Sequence, residues 1–132
     1  MDLRKHPERY RIGRGEQGVF HAEPYKGELL PLWKFRDEEA ARASSEAIYQ
    51  KFCEYRADDD FVGMDVARKY LQMGWTRSMR YAKYRAGKKS QPFEEPDPTK
   101  LKGASIFKDL YDRVRADERY VELKERHRSR NE

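Results

Sequence analysis

Residues 10–20 read Y-R-I-G-R-G-E-Q-G-V-F, and their conformation decides the fold class. Gly13, Gly15 and Gly18 make a G-x-G-x-x-G loop between two short apolar pieces, with Arg11 beside it and Arg14 within it. Glycine tolerates the positive φ values that a tight turn needs. The segment therefore predicts a β-hairpin with strands at 10–12 and 19–22. Pro24 cannot donate to a ladder and ends the second strand. Further on, Leu32-Trp33-Lys34-Phe35-Arg36 alternates, with Trp33 and Phe35 on one face and Lys34 and Arg36 on the other. That period of two predicts a half-buried third strand, or an extended segment laid under helices.

The rest of the chain has helical spacing. Asp37 caps a helix running to about residue 57, with Ala41, Ser44, Ser45, Ile48, Phe52 and Tyr55 on its inner stripe. Asp58-Asp59-Asp60 ends that helix and caps a second at 61–73. The second helix is expected to be central, with Asp65, Arg68, Lys69 and Gln72 as its narrow polar side. Gly74 reads as its C-terminal cap, Thr76 as the N-cap of a third helix at 77–86, and Gly87 as the end of that helix. Residues 88–98, with Pro92, Pro96 and Pro98, read as a linker. Asp97-Pro98 starts a fourth helix, and Asp117 caps a last one that turns Tyr120, Leu123 and His127 inward.

The expected architecture is α+β and mostly α, with a glycine-loop hairpin of two or three short strands packed on four to five helices. A chain of 132 residues fits a single domain. Its parts are an arm at 1–9, the hairpin and extended segment at 10–36, a three-helix unit at 37–87, the linker at 88–98 and C-terminal helices at 99–132. Apolar residues are 37% and charged residues 40%, so the core must be thin and must rely on large aromatic side chains.

Composition also bounds function. One cysteine, Cys53, permits no intramolecular disulfide. His6, His21 and His127 lie far apart with no Cys or His at zinc-ligand spacing, so no metal or cofactor is expected. No apolar run reaches the length of a membrane span and no signal-type segment opens the chain, so a cytoplasmic protein without a membrane partner is expected. The net charge is +5, unevenly spread: residues 61–91 carry 8 basic side chains and 1 acidic one. Such a block is the usual footprint of a polyanionic partner, or else a solvated face, or a face docked against the acidic 37–60 helix.

Within that block, Arg77, Arg80, Tyr81, Tyr84 and Lys88 share one helix face, with Lys83 nearby, opposite Trp75, Met79, Ala82 and Ala86. Guanidinium groups pair with phosphates and tyrosines stack on bases. The arrangement around Gly74 loosely resembles a helix-turn-helix, although Ala67 and Gly74 stand farther apart than that motif places its alanine and glycine. The glycine loop has two better-known counterparts, and its context removes both. A dinucleotide fingerprint needs a helix directly after the third glycine. A kinase glycine loop, with Lys34 as the phosphate-pairing lysine, needs H-R-D and D-F-G motifs that the chain lacks. What remains is a loop whose backbone N–H groups, with Arg11, Arg14 and Lys34, can meet a phosphate, or a plain turn.

The blocks Y-R-I-G-R-G-E-Q-G-V, E-P-Y-K-G-E-L-L-P-L-W-K-F and D-F-V-G-M-D-V-A-R-K-Y-L-Q-M-G-W-T-R-S-M-R-Y-A resemble the uncharacterised family catalogued as domain of unknown function 4385. The resemblance covers nearly the whole chain. It implies a stand-alone small domain of bacteria and tailed phages, and no activity. The sequence thus predicts binding of nucleic acid or another phosphate-rich partner. Arg77, Arg80, Lys83 and Lys88 would contact phosphate, Tyr81 and Tyr84 would stack, and Arg11, Gly13, Arg14, Gly15, Gly18 and Lys34 would form a second contact. Two alternatives stay open. One is a small enzyme acting on a nucleotide or other phosphorylated substrate, with the loop, Lys34 and His21 or Glu23 in a cleft and no catalytic residue assigned. The other is a protein–protein adaptor.

Overall fold

The computed structural model describes residues 1–13 and 17–131. Among these there is no strand and no sheet. The expected α+β fold with an N-terminal hairpin is corrected to an all-helical one. Short 3-10 turns at Pro7–Arg9 and Gln17–His21 precede α1 (Tyr25–Leu29), and another at Leu30–Leu32 follows it. Then come α2 (Glu38–Ala57), α3 (Phe61–Lys83), a 3-10 turn at Arg85–Gly87, α4 (Pro98–Arg115) and α5 (Glu118–Asn131).

The hairpin fails because its backbone groups find local partners. Tyr10 N–H donates to the Pro7 carbonyl at 3.1 Å, Lys26 N–H to Ala22 at 2.8 Å and Trp33 N–H to Leu30 at 3.1 Å. Turns of this kind satisfy short segments without any ladder. The aromatic side chains then hold the segment on α3. The rings of Phe20 and Trp33 meet that of Tyr70 at 6.5 and 5.8 Å. The alternation at 33–36 has the expected exposure, with Trp33 and Phe35 half-buried and Lys34 and Arg36 exposed. It belongs to extended chain lying on a helix and pairs with no strand.

α3 is the centre of the molecule, and α2, α4 and α5 all pack on it. One core cluster runs from Tyr10 to Leu123, with Phe52, Met64, Tyr70, Leu71 and Phe107 among its fully buried members. The expected inner stripe of α2 is the buried one. Aspartate caps open four helices: Asp37 accepts from Ala40 N–H, Asp60 from Gly63 N–H, Asp97 from Thr99 N–H and Asp117 from Tyr120 N–H. Each such cap contributes about 0.5–2 kcal/mol.

Two further expectations are corrected. First, the second and third helices are one. Gly74 does not end α3 but sits buried in its middle, where a β-carbon would come within 2.2 Å of the Phe107 ring of α4. The glycine is there to let two helices touch. Thr76 caps nothing; its hydroxyl donates to the Met73 carbonyl at 3.4 Å.

Second, the supposed polar side of α3 is largely interior. Asp65 is fully buried and Lys69 nearly so. The Asp65 carboxylate accepts hydrogen bonds from the Tyr10 hydroxyl, from the Tyr120 hydroxyl at 2.6 Å, and from Arg68 Nε and Nη2 at 3.1 and 2.7 Å. Burial pushes this carboxyl up, but the Arg68 charge and the two tyrosine hydroxyls outweigh it and hold it below the ordinary aspartate range. His127 Nε2–H donates to the Tyr10 carbonyl at 2.6 Å. This network fastens the N-terminal segment and α5 to the first turns of α3.

Candidate phosphate-binding groove

The last two turns of α3 form one wall of a groove of about 630 Å³, and residues 84–89 form the other. The groove exists because the chain doubles back after Lys83. Tyr84 is extended, and Ala86 and Gly87 both take the left-handed conformation, with φ of 52° and 71°. Arg85 N–H then donates to Gln91, Phe93 N–H to Lys83 and Asp97 N–H to Ala82, each at 2.8–2.9 Å. Tyr84 and Pro92 form an isolated antiparallel bridge. Residues 88–98, expected to be a linker, are therefore pinned along the end of the helix.

Five cations line the groove, Arg77, Arg80, Lys83, Lys88 and Lys89, and no carboxylate of the described residues does. None of the five has an ion-pair partner among the described residues. Three arginines elsewhere in the chain are paired: Arg68 with Asp65, Arg56 with Asp117 and Arg119 with Asp59. Arg77 lies over the Trp33 ring, 5.4 Å from its centroid. Arg80 donates through Nε to the Gly87 carbonyl, which turns its two terminal nitrogens toward other partners. Lys83, Lys88 and Lys89 are exposed.

The negative end of a helix dipole favours cations nearby and disfavours anions. That pole is covered here. The carbonyls of Arg80, Ala82 and Lys83 accept from Tyr84, Asp97 and Phe93. The dipole also does not account for Lys88 and Lys89, which lie past the helix end on the opposite wall.

The tyrosines divide. Tyr81 is 38% exposed, but its ring stacks on Phe35 at 6.0 Å, approaches Gly87, and has Lys100 Nζ 5.9 Å from its centroid. Tyr84 also lines the groove and is half-buried, and its ring has no aromatic or cationic partner among the described residues.

The glycine segment lies elsewhere. β-Carbons built on Gly13 and Gly18 would stand 3.6 and 3.9 Å from Lys69 Nζ. That places Gly13 and Gly18 beside Lys69, eight residues or about 12 Å along α3 before Arg77. Lys69 Nζ also lies 5.6 Å from the centroid of the Tyr10 ring. Arg11 donates to the Asn131 carbonyl at the end of α5. Lys34 is exposed and gives its backbone N–H to Ser44 Oγ at 2.9 Å. Arg14 and Gly15 lie outside the described residues. None of Arg11, Gly13, Gly18 and Lys34 lines the groove. Of the predicted residues, Arg77, Arg80, Tyr81, Lys83, Tyr84 and Lys88 thus share the groove, Gly13 and Gly18 meet at Lys69, and Arg11 and Lys34 stand apart from both.

Sequence reasoning missed Lys89 and Met79 as groove residues, and it missed Gly87 as the acceptor that holds Arg80. The K-K pair after Gly87 was the available signal for Lys89. Among the described residues no group of three or more His, Cys, Asp or Glu could hold a metal ion. No helix is long and apolar enough to cross a membrane.

A family model described as domain of unknown function (DUF4385) matches residues 1–130. No curated protein and no solved structure matches the chain.

Proposed function

The chain belongs to the domain of unknown function 4385 family, whose description carries no activity, and from the groove we propose that it binds nucleic acid or another phosphate-rich partner. One observation carries this reading. Among the described residues, five cations with no ion-pair partner converge on a concave surface that holds no carboxylate. Unpaired like charges repel one another across so small a space, and a polyanion relieves that repulsion.

Binding of this kind falls steeply with salt, because each neutralised phosphate releases counterions. Lys83, Lys88 and Lys89 are exposed and make no side-chain hydrogen bond among the described residues, so removing them tests the groove without disturbing the fold. The wild-type chain is expected to bind labelled oligonucleotides at low salt, as read by fluorescence anisotropy. The K83A/K88A/K89A variant should bind more weakly and lose about 2 from the slope of log K against log salt. A variant that kept wild-type affinity and slope, or a wild-type chain that bound no polyanion at low salt, would sink the proposal.

A further inference from the structure

We infer that the groove takes a single-stranded nucleic acid, with the Tyr84 ring as its base-stacking platform and Tyr81 as a fixed part of the wall. The inference rests on the groove reading above and adds the class of polyanion.

The first argument is steric. A helix that reads duplex DNA enters a major groove roughly 12 Å wide, and a bare helix with side chains is already about 10–12 Å across. The cationic end of α3 is not bare. Residues 84–97 are hydrogen-bonded back to it through Phe93 and Asp97, and a chain paired in this way adds roughly 5 Å. α4 packs on the same helix from another side. This end of α3 cannot be inserted into a duplex. A single phosphodiester chain can instead lie inside the groove, with Arg77, Arg80 and Lys83 on one wall and Lys88 and Lys89 on the other.

The second argument concerns the rings. Proteins that hold single strands combine a basic track with aromatic side chains that stack on unpaired bases. A ring serves only if one of its faces is open. Tyr81 is engaged by Phe35, Gly87 and Lys100. Tyr84 lines the same groove and has no ring or cation partner among the described residues. Its backbone is fixed by the bond from its N–H to the Arg80 carbonyl and by the bridge to Pro92, so the platform is held in place before any ligand arrives.

The test uses labelled oligothymidine, oligouridine, a hairpin duplex and an abasic deoxyribose-phosphate oligomer of matched length. The wild-type chain should bind at least one single strand more tightly than the duplex or the abasic chain. Tyr84→Ala should weaken binding of the single strand roughly 5- to 150-fold and leave the abasic oligomer within about twofold. Tyr84→Phe, which keeps the ring, should bind like wild type. A duplex bound as tightly as the single strands, or a Tyr84→Ala variant that loses nothing or loses both ligands equally, would overturn the inference. If K83A/K88A/K89A still weakened binding in that event, the groove reading would survive alone. If that variant had no effect on any of the four probes, both readings would fall.

Discussion

Arg80 on α3 donates through Nε to the backbone carbonyl of Gly87, seven residues further along the chain. This contact joins the two walls of the groove. It also fixes a flexible side chain in one orientation, which lowers the entropy lost when its terminal nitrogens bind a phosphate.

The geometry behind that contact depends on Gly87. Its φ of 71° is unfavourable for any residue with a β-carbon, and a β-carbon there would come 3.0 Å from the Tyr81 ring. Gly87→Ala should cost about 1–2 kcal/mol in urea unfolding. It should also weaken polyanion binding, because the carbonyl that holds Arg80 moves. Ala86, with φ of 52°, is the internal control. Ala86→Gly should leave binding intact and should not lower stability.

Gly74 marks a different kind of intolerance. A β-carbon at 2.2 Å from the Phe107 ring has no room, and neither helix can withdraw without opening the core. Gly74→Ala should destabilise the protein by at least the 1–3 kcal/mol typical of overpacking, read as a fall in Tm. The double variant Gly74→Ala/Phe107→Leu should recover part of that loss, since the two changes share one contact. Independent, additive effects would contradict the packing seen between α3 and α4.

Asp65 and Arg68 are the most deeply buried ion pair, with side-chain exposures of 0% and 11%. Asp65→Asn leaves the guanidinium without its charge partner and should cost about 3–5 kcal/mol. A loss below 1 kcal/mol in denaturant unfolding would refute a central role for this carboxylate.

The same network predicts how stability varies with pH. The Asp65 carboxyl is held below its ordinary value of 3.8 in the folded state. Its contribution is therefore complete above that value and is lost as pH falls through the lowered folded value. Tyr10 and Tyr120 shift the other way: burial, and then the Asp65 charge, raise both phenols above 10.0. Their contribution is complete below 10.0 and is lost as pH rises through the raised values. Urea midpoints measured across pH should decline at both ends. Asp65→Asn should flatten the acid limb, and Tyr10→Phe should reduce the alkaline one.

The helical part of the fold was largely legible. The period-3.6 stripe in α2, and aspartates at 37, 60, 97 and 117, mark an inner face and helix starts directly. The N-terminal third was not, because pieces as short as 10–12 and 19–22 are equally compatible with strands and turns. Only the distant ring of Tyr70, which receives Phe20 and Trp33, settles the matter. Gly74 misled for a related reason: a glycine that ends a helix and one that admits a neighbouring ring look identical until that ring is located. Arg77, Arg80, Lys83, Tyr84 and Lys88 could be found as a basic, tyrosine-bearing stretch. The wall facing them could not, since it depends on left-handed Ala86 and on bonds from 91–97 back to 82–85. Asp65 looked like surface because no local pattern shows that Tyr10 and Tyr120 converge on it.

The bonds that Asp65 receives from Tyr10 and Tyr120 each span 55 residues. A nascent chain in which α5 is still inside the ribosome holds that carboxylate without one of its three ligands and leaves Phe61 without the Tyr120 ring stacked on it. Synthesis order thus matters for this small protein: the interior charge of its central helix is fully matched only when α5 has emerged.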